Sequence, residues 1–313
     1  MNSKNLKIDN DNSERRLDNY LFSTYKALPK SKIYSMIRKG EVRVNSKRIK
    51  PSYKLKSEDE IRIPPYLINY REHLKQVKIP QKRIDIYKKS VLFENHNYVV
   101  INKEAELPVH SGSKNSFGLI DIVRVINPNL DIDLCHRIDK STSGCIVLSK
   151  NKKFLINFHM QLKNNSVKKT YKAILAGSFE GKINTKSNIK ISTQPDQHKV
   201  EISSSGKKSI SEFLLIKKLG NFSYTEIKIL TGRKHQIRVQ SANLGLPVVN
   251  DKKYGDIYLN KSIRKQTGIS RLALHSASIS FLNRNGKIVI YEAPINKDFE
   301  ILLNNLHKLT IQS

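Results

Sequence analysis

From His136 to Gly144 the chain reads HRIDKSTSG, which crowds an arginine, an aspartate, hydroxyl side chains and a glycine into one short stretch. These residue types suit an ordinary polar turn, because short polar side chains bond nearby backbone and glycine accepts positive φ. They also suit chemistry. Asp139 is the one acid in the stretch. Flanking apolar strands would bury it partly, and burial opposes ionisation. A reactive carboxylate in that position needs a cation to keep it charged and aimed. Arg238, in TGRKHQIRVQ, is the candidate, since a planar guanidinium can grip a carboxylate with two parallel hydrogen bonds. The two residues lie 99 positions apart, so only the fold can pair them.

The rest of the composition narrows the chemistry. Lys and Arg total 57 against 27 Asp and Glu, a net charge of +30. Such a charge attracts polyanions, of which nucleic acid is the commonest. A composition rich in Lys, Asn and Ile, as A/T-rich coding produces, accounts for part of it, so placement matters more than the total. At 313 residues, 38% of them hydrophobic, the chain can form two domains or one large domain with an appendage. Cys135 and Cys145 are the only cysteines. They suggest neither a zinc site nor a secreted disulfide framework, so buried free thiols are expected. The opening MNSKNLKIDNDNSERR lacks the apolar core of a secretory signal. No run approaches the roughly 18 apolar residues of a membrane helix. A cytoplasmic protein with no membrane partner is expected.

The elements that must position these residues fall into two groups. Residues 1–13 are expected to be disordered. Within 14–65, RRLDNYLFSTY has helical spacing, and SKIYSMIRKG makes a second helix with Ser31 as its cap and Gly40 as its stop. EVRVN, RIK and EIRIPP alternate as short strands. From Lys26 to Lys56 every charged residue is basic except Glu41. Lys32, Arg38 and Lys39 on the second helix, with Arg43, Lys47 and Arg48 on or near the following turn, form a cluster suited to RNA phosphates. Residues 66–90 are polar and basic without clear periodicity and are read as a linker. From 91 to 313 strands dominate: the hairpin VLFENHNYVVIN, then GCIVLSK, KTYKAILAG, SYTEIKILTG, RLALHSASISFL and KIVIYEAP. Helices are expected at KKFLINFHMQLKNN, HQIRVQSANLG and DFEILLNNLHKL. With little strict strand–helix alternation, the fold class is α+β with a mainly antiparallel mixed sheet.

At this point both halves resemble known families. RRLDNYL, SKIYSMIRKGEVRVN and IKPSYKLKSEDEIRIP resemble an S4 RNA-binding domain over 14–65. HRIDKSTSG, KKTYKAILAGS, LTGRKHQIRVQSANLGLPVVNDKKYGD and RLALHSASI, in that order, resemble the pseudouridine synthases of the large-subunit and small-RNA branch, over residues 91 to about 296. The resemblance implies isomerisation of uridine to pseudouridine at several positions of 23S rRNA, a reaction needing no cofactor and no metal; a monomer is expected, since nothing in the sequence suggests an interface. It implies that Asp139 is the catalytic carboxylate and Arg238 its partner. It implies that Arg137 fills the space left by a flipped-out uridine, that Tyr171 stacks on the uracil and takes the C5 proton, that Leu274 packs its other side, and that Thr142 shapes the loop. His136, His235 and His275 are candidate supporting donors, with a structural role as the default.

The alternatives are a sister synthase acting on other 23S rRNA or tRNA uridines, a non-catalytic rRNA-binding assembly protein, and a nucleoside hydrolase. The last usually wants a second carboxylate at a set distance, which the motif segments do not supply. The chain departs from the family pattern at Ile138, Ser141 and Gln240, and at Glu104 and Glu106, which replace the usual proline and glycine. Activity is expected to be kept.

Overall fold

A computed structural model of the chain describes residues 4–25, 28, 30–68, 79–111, 117–192 and 200–311. It divides into two compact units, Met1–Lys78 and Ile79–Ser313.

The first unit contains β1 (Lys4–Lys7), α1 (Leu17–Thr24), α2 (Lys30–Lys39), β2 (Arg43–Val44), β3 (Glu60–Ile63) and α3 (Pro65–Ile68). The strands form one antiparallel sheet in the order β1-β3-β2. Helical spacing puts Leu17 and Leu21 of α1, and Ile33, Met36 and Ile37 of α2, into one core with Val42, Val44, Leu55, Ile61 and Ile63. Gly40 ends α2 at φ 72°, a conformation that favours glycine. Three expectations are corrected here. Residues 1–13 are not simply disordered, because Lys4–Lys7 pairs with β3 and Ile8 is sealed in the core. Two apolar residues among lysines and asparagines, Leu6 and Ile8, are too few to announce a strand in sequence. RIK (48–50) is not a strand, and Ser31 lies inside α2 rather than capping it.

The second unit begins with α4 (Gln81–Ser90), β4 (Val91–Glu94), β5 (Tyr98–Lys103), α5 (Leu119–Ile126), β6 (Asp133–Leu134), β7 (Ser143–Ser149) and α6 (Lys152–Lys163). It continues with β8 (Lys168–Ala176), β9 (Lys182–Ile191), β10 (Val200–Ile202), β11 (Lys207–Leu219), β12 (Phe222–Ile229), α7 (Gln236–Asn243) and α8 (Ile257–Thr267). It closes with β13 (Leu274–Leu282), β14 (Ile288–Glu292) and α9 (Lys297–Ile311). All eleven strands join one sheet, ordered β10-β9-β11-β12-β8-β13-β7-β5-β4, with β14 on β13 and β6 on β7. Pairing is antiparallel except between β13 and β7. The α+β architecture is therefore as expected.

The segment read as a linker is corrected in part. Residues 69–78 lie outside the described residues, but 81–90 form α4, which buries Tyr87 in the core beneath α5. The central strands explain themselves. β7 is buried along its whole length, so it reads as an unbroken apolar run. Its alternate residues Ile146 and Leu148 face α5, while Cys145 and Val147 face α6 with Phe154 and Phe158. Both cysteines are free and buried. Gly144 has φ 107°, and a Cβ there would come within 2.2 Å of the Ser276 carbonyl oxygen. The glycine of the HRIDKSTSG stretch thus lets β7 and β13 meet at close range, directly after Asp139. Among the described residues no helix is long and apolar enough to cross a membrane.

Candidate active site

Asp139 sits in the turn entering β7. Ile138 anchors the turn in the core, and the Thr142 amide closes it on the Asp139 carbonyl at 3.2 Å. Below it, the buried Lys103 at the end of β5 donates from Nζ to the carbonyls of Glu104, Leu107 and Lys140, at 2.8, 2.8 and 3.0 Å. Burial lowers the pKa of that ammonium to about 7. Lys103 therefore ties two loops together beneath the acid, a role no sequence pattern had indicated.

The turn opens into a cavity of about 430 Å³. Asp139, Arg137, Thr142, Tyr171, Arg238 and Leu274 all line it. Tyr171 is on β8 between Ile227 of β12 and Ser276 of β13, opposite an irregularity in β13. Such bulges re-aim side chains. Leu274 begins β13, and Arg137 stands exposed at the cavity edge. Burial, reinforced by the Asp139 charge, raises the Tyr171 phenol above its usual pKa.

Arg238 corrects the expected geometry. Its Nη1 donates to Asp139 Oδ2 at 3.2 Å, a single bond. The two-pronged grip goes to Asp251, from Nε and Nη2 at 2.7 Å each. Asp251 also accepts the amides of Lys253 and Tyr254, at 2.9 and 3.1 Å. Burial alone would lower the Arg238 pKa, but Asp251 and Asp139 outweigh it and keep the guanidinium charged. Among the described residues, Asp139 Oδ1 has no protein donor, in contrast to Oδ2. Sequence reasoning missed Asp251, whose only signal is its place in the arginine-bearing segment, LPVVNDKKYGD.

The polar helix α7 is seated by amide hydrogen bonds as well as by Ile237 and Val239, each buried in an apolar cluster. Gln240 accepts from Ser211 Oγ at 2.7 Å and donates to Ser187 Oγ at 2.8 Å, while Gln236 donates to Ser211 Oγ at 2.9 Å. Gln240, a departure from the family pattern, is thus fully engaged. Glu104 pairs with Arg83 of α4. Glu106 has a left-handed backbone, φ 65°, a conformation that favours glycine.

The histidines divide. His136 accepts the Val147 amide at 3.1 Å, and burial takes its pKa down to about 3. His275 bridges Ser143 Oγ and the Ala293 carbonyl, at 2.8 and 3.0 Å. Both hold structure. His235 alone approaches the acid, its Nε2 3.8 Å from Asp139 Oδ2. Among the described residues no three His, Cys, Asp or Glu side chains converge as metal ligands.

In the first unit Lys32, Arg38, Lys39, Lys47 and Arg48 are exposed and Arg43 is half-buried. Arg48 lies against Gly40, whose carbonyl accepts from Arg43 Nε at 3.2 Å, so the turn cations gather at the end of α2.

Known proteins bear on both units. The RNA pseudouridylate synthase family profile matches residues 97–243, and the S4 domain profile matches 15–61. The chain is 36% identical over 305 residues to "Ribosomal large subunit pseudouridine synthase C" of Buchnera aphidicola subsp. Baizongia pistaciae, covering 96% of each. It is 34% identical over 308 residues to the protein of that name from Escherichia coli K12, covering 97% of this chain and 96% of the relative. Among solved structures, human RNA Pseudouridylate Synthase Domain Containing 4 shares the fold, with a TM-score of 0.61 at 22% identity, over 72% of this chain and 95% of that one.

Proposed function

Since the chain belongs to the RNA pseudouridylate synthase family and carries an S4 domain ahead of its catalytic one, we propose that it isomerises uridines at several positions of 23S ribosomal RNA, with Asp139 as its single catalytic carboxylate. The observation that carries this reading is the asymmetry of Asp139, a cavity-lining residue: one oxygen is held by Arg238, and the other accepts no hydrogen bond among the described residues. The cavity's volume is of the size that takes a small ligand.

In the reaction the N1–C1′ bond breaks, the uracil turns and a C5–C1′ bond forms. C5 loses a proton and N1 gains one, so the product is an isomer. Attack at C1′ and elimination at the sugar both need an ionised carboxylate with an oxygen free, and Arg238 donates to only one of the two Asp139 oxygens. A uridine in folded RNA must first leave its stack, at a cost of a few kcal/mol. Exposed Arg137 reaches from the rim to fill the vacated space. Tyr171 and Leu274 sandwich the base, which keeps the detached uracil from escaping and water from entering. Tyr171, which lines the cavity with Asp139, also offers its phenol oxygen to take the C5 proton. The same reading has the enzyme act as a monomer in the cytoplasm, gripping rRNA through its S4 cations.

Carbodiimide mapping of a 23S rRNA fragment treated with the purified protein tests the proposal. Wild type should produce pseudouridine stops and Asp139→Asn none. Identical stops from the two proteins would overturn the assignment.

A further inference from the structure

The mechanism above leaves one buried titratable group beside Asp139 without a task. His235 precedes α7 with its backbone in the left-handed region, φ 54°, three residues ahead of Arg238. Its Nδ1 is 2.8 Å from the Tyr254 hydroxyl oxygen, which in turn accepts the Val200 amide at 3.1 Å. Its Nε2 faces Asp139 Oδ2, the oxygen that Arg238 already holds.

We propose that His235 is a positioning residue for the catalytic carboxylate, fixed by Tyr254 as the neutral tautomer that carries its proton on Nε2, so that this N–H and Arg238 together turn Oδ1 toward the substrate. The proposal rests on the reading of Asp139 as the catalytic acid.

The tautomer rests on the phenol proton, for which His235 Nδ1 is the one acceptor among the described residues. A phenol has one proton to give and lone pairs to receive. The Val200 amide, a donor only, takes a lone pair of the Tyr254 oxygen, and the phenol proton then points at His235 Nδ1. A neutral imidazole that accepts at Nδ1 carries its hydrogen on Nε2. Protonation of both nitrogens is opposed by burial first, then by Arg238, Lys234 and Lys253; Asp139 alone favours it, and the pKa falls to about 4. Asp139, Arg238, Lys234, Lys253 and Tyr254 are the titratable groups that bear on the ring. At neutral pH an oriented dipole, not a second cation, meets the carboxylate.

That distinction matters to the chemistry. One hydrogen bond from Arg238 leaves the carboxylate free to swing about its last torsion, which has a broad energy well. A second donor aimed at the same oxygen removes that freedom. A neutral donor does so without drawing off the negative charge that makes Oδ1 reactive. The 3.8 Å separation is longer than a hydrogen bond. Catalytic hydrogen bonds often tighten only in the substrate complex, and the proposed one is expected to do so.

Two measurements on the full chain test this. A long-range proton–nitrogen spectrum, with the His235 ring identified by its loss in His235→Gln, should show the Nε2-protonated tautomer in wild type and both tautomers in Tyr254→Phe. With the 23S fragment, His235→Ala should lower kcat about tenfold while KM stays within about twofold. His235→Gln, whose amide nitrogen takes the place of Nε2, should recover most of the loss. A wild-type ring protonated on Nδ1, or a Gln variant as slow as the Ala variant, would overturn the proposal. Activity in Asp139→Asn would instead bring down the catalytic reading, and the spectrum, which needs no turnover, tells the two failures apart.

Discussion

Arg238 lies between two acids and treats them unequally. The fork is given to Asp251, which is sealed from solvent, and the single longer bond to Asp139, whose side chain is 25% exposed. The fork makes the guanidinium rigid, while the lone bond leaves Asp139 electron-rich. Asp251→Asn keeps the shape and removes the charge, leaving Arg238 without its main partner. Breaking a buried pair in this way costs about 3–5 kcal/mol, and kcat should fall as Nη1 loses its aim. The effect has a pH signature. Burial would raise the Asp251 pKa, but Arg238 and two backbone amides overrule it and hold the acid below its usual 3.8. A depressed folded pKa stabilises above the unfolded pKa, and the contribution is lost as pH falls through the folded value. Urea midpoints of wild type and Asp251→Asn should therefore stand far apart at neutral pH and converge below about pH 4; a constant gap would refute this. Asp139 and Arg238 were legible because each sits in a distinctive word. Asp251 was not, because an aspartate in VVNDKK equally suits a turn, and no spacing says that one arginine serves two acids.

Elements were legible where burial follows a simple period. β7, β8, β12 and β13, and helices α1, α2, α6 and α9, show their apolar faces in the sequence. β9, β10 and β11 were missed. The inward face of β11 includes the buried Ser209 and Ser211, where the Ser211 hydroxyl and the Ser209 carbonyl bond the Gln240 amide of α7, so the strand has no full apolar alternation to display. α4 was missed for a related reason: among its residues only Tyr87 is fully buried, and the rest read as a polar linker. Local backbone cost is legible at Glu106, an exposed residue at φ 65°. A side chain in the left-handed region costs about 1–2 kcal/mol, partly offset by the extra unfolded-state entropy of glycine. Glu106→Gly should therefore raise stability by about 0.5–1 kcal/mol in urea titrations. A loss would mean that the glutamate side chain supports the loop.

Over the whole molecule, the +30 charge predicts binding that weakens steeply with salt. The S4 cations should carry a definable part of that. Replacing Lys39, Arg43, Lys47 and Arg48 with alanine removes four candidate phosphate contacts and should flatten the slope of log affinity against log salt by about 3. An unchanged slope in filter binding to the 23S fragment would assign the grip to other lysines. The clamp within the cavity has a further consequence on this scale. Asp139 lines the cavity against Arg238, whose other partner Asp251 is buried, while Lys163, Lys169, Arg137 and Arg233 line the same space. A deep spot of negative potential is thus set inside a positive surround. Such a field sorts an incoming nucleotide by its parts, drawing the phosphates to the periphery and admitting only the uncharged heterocycle and its ribose to the bottom.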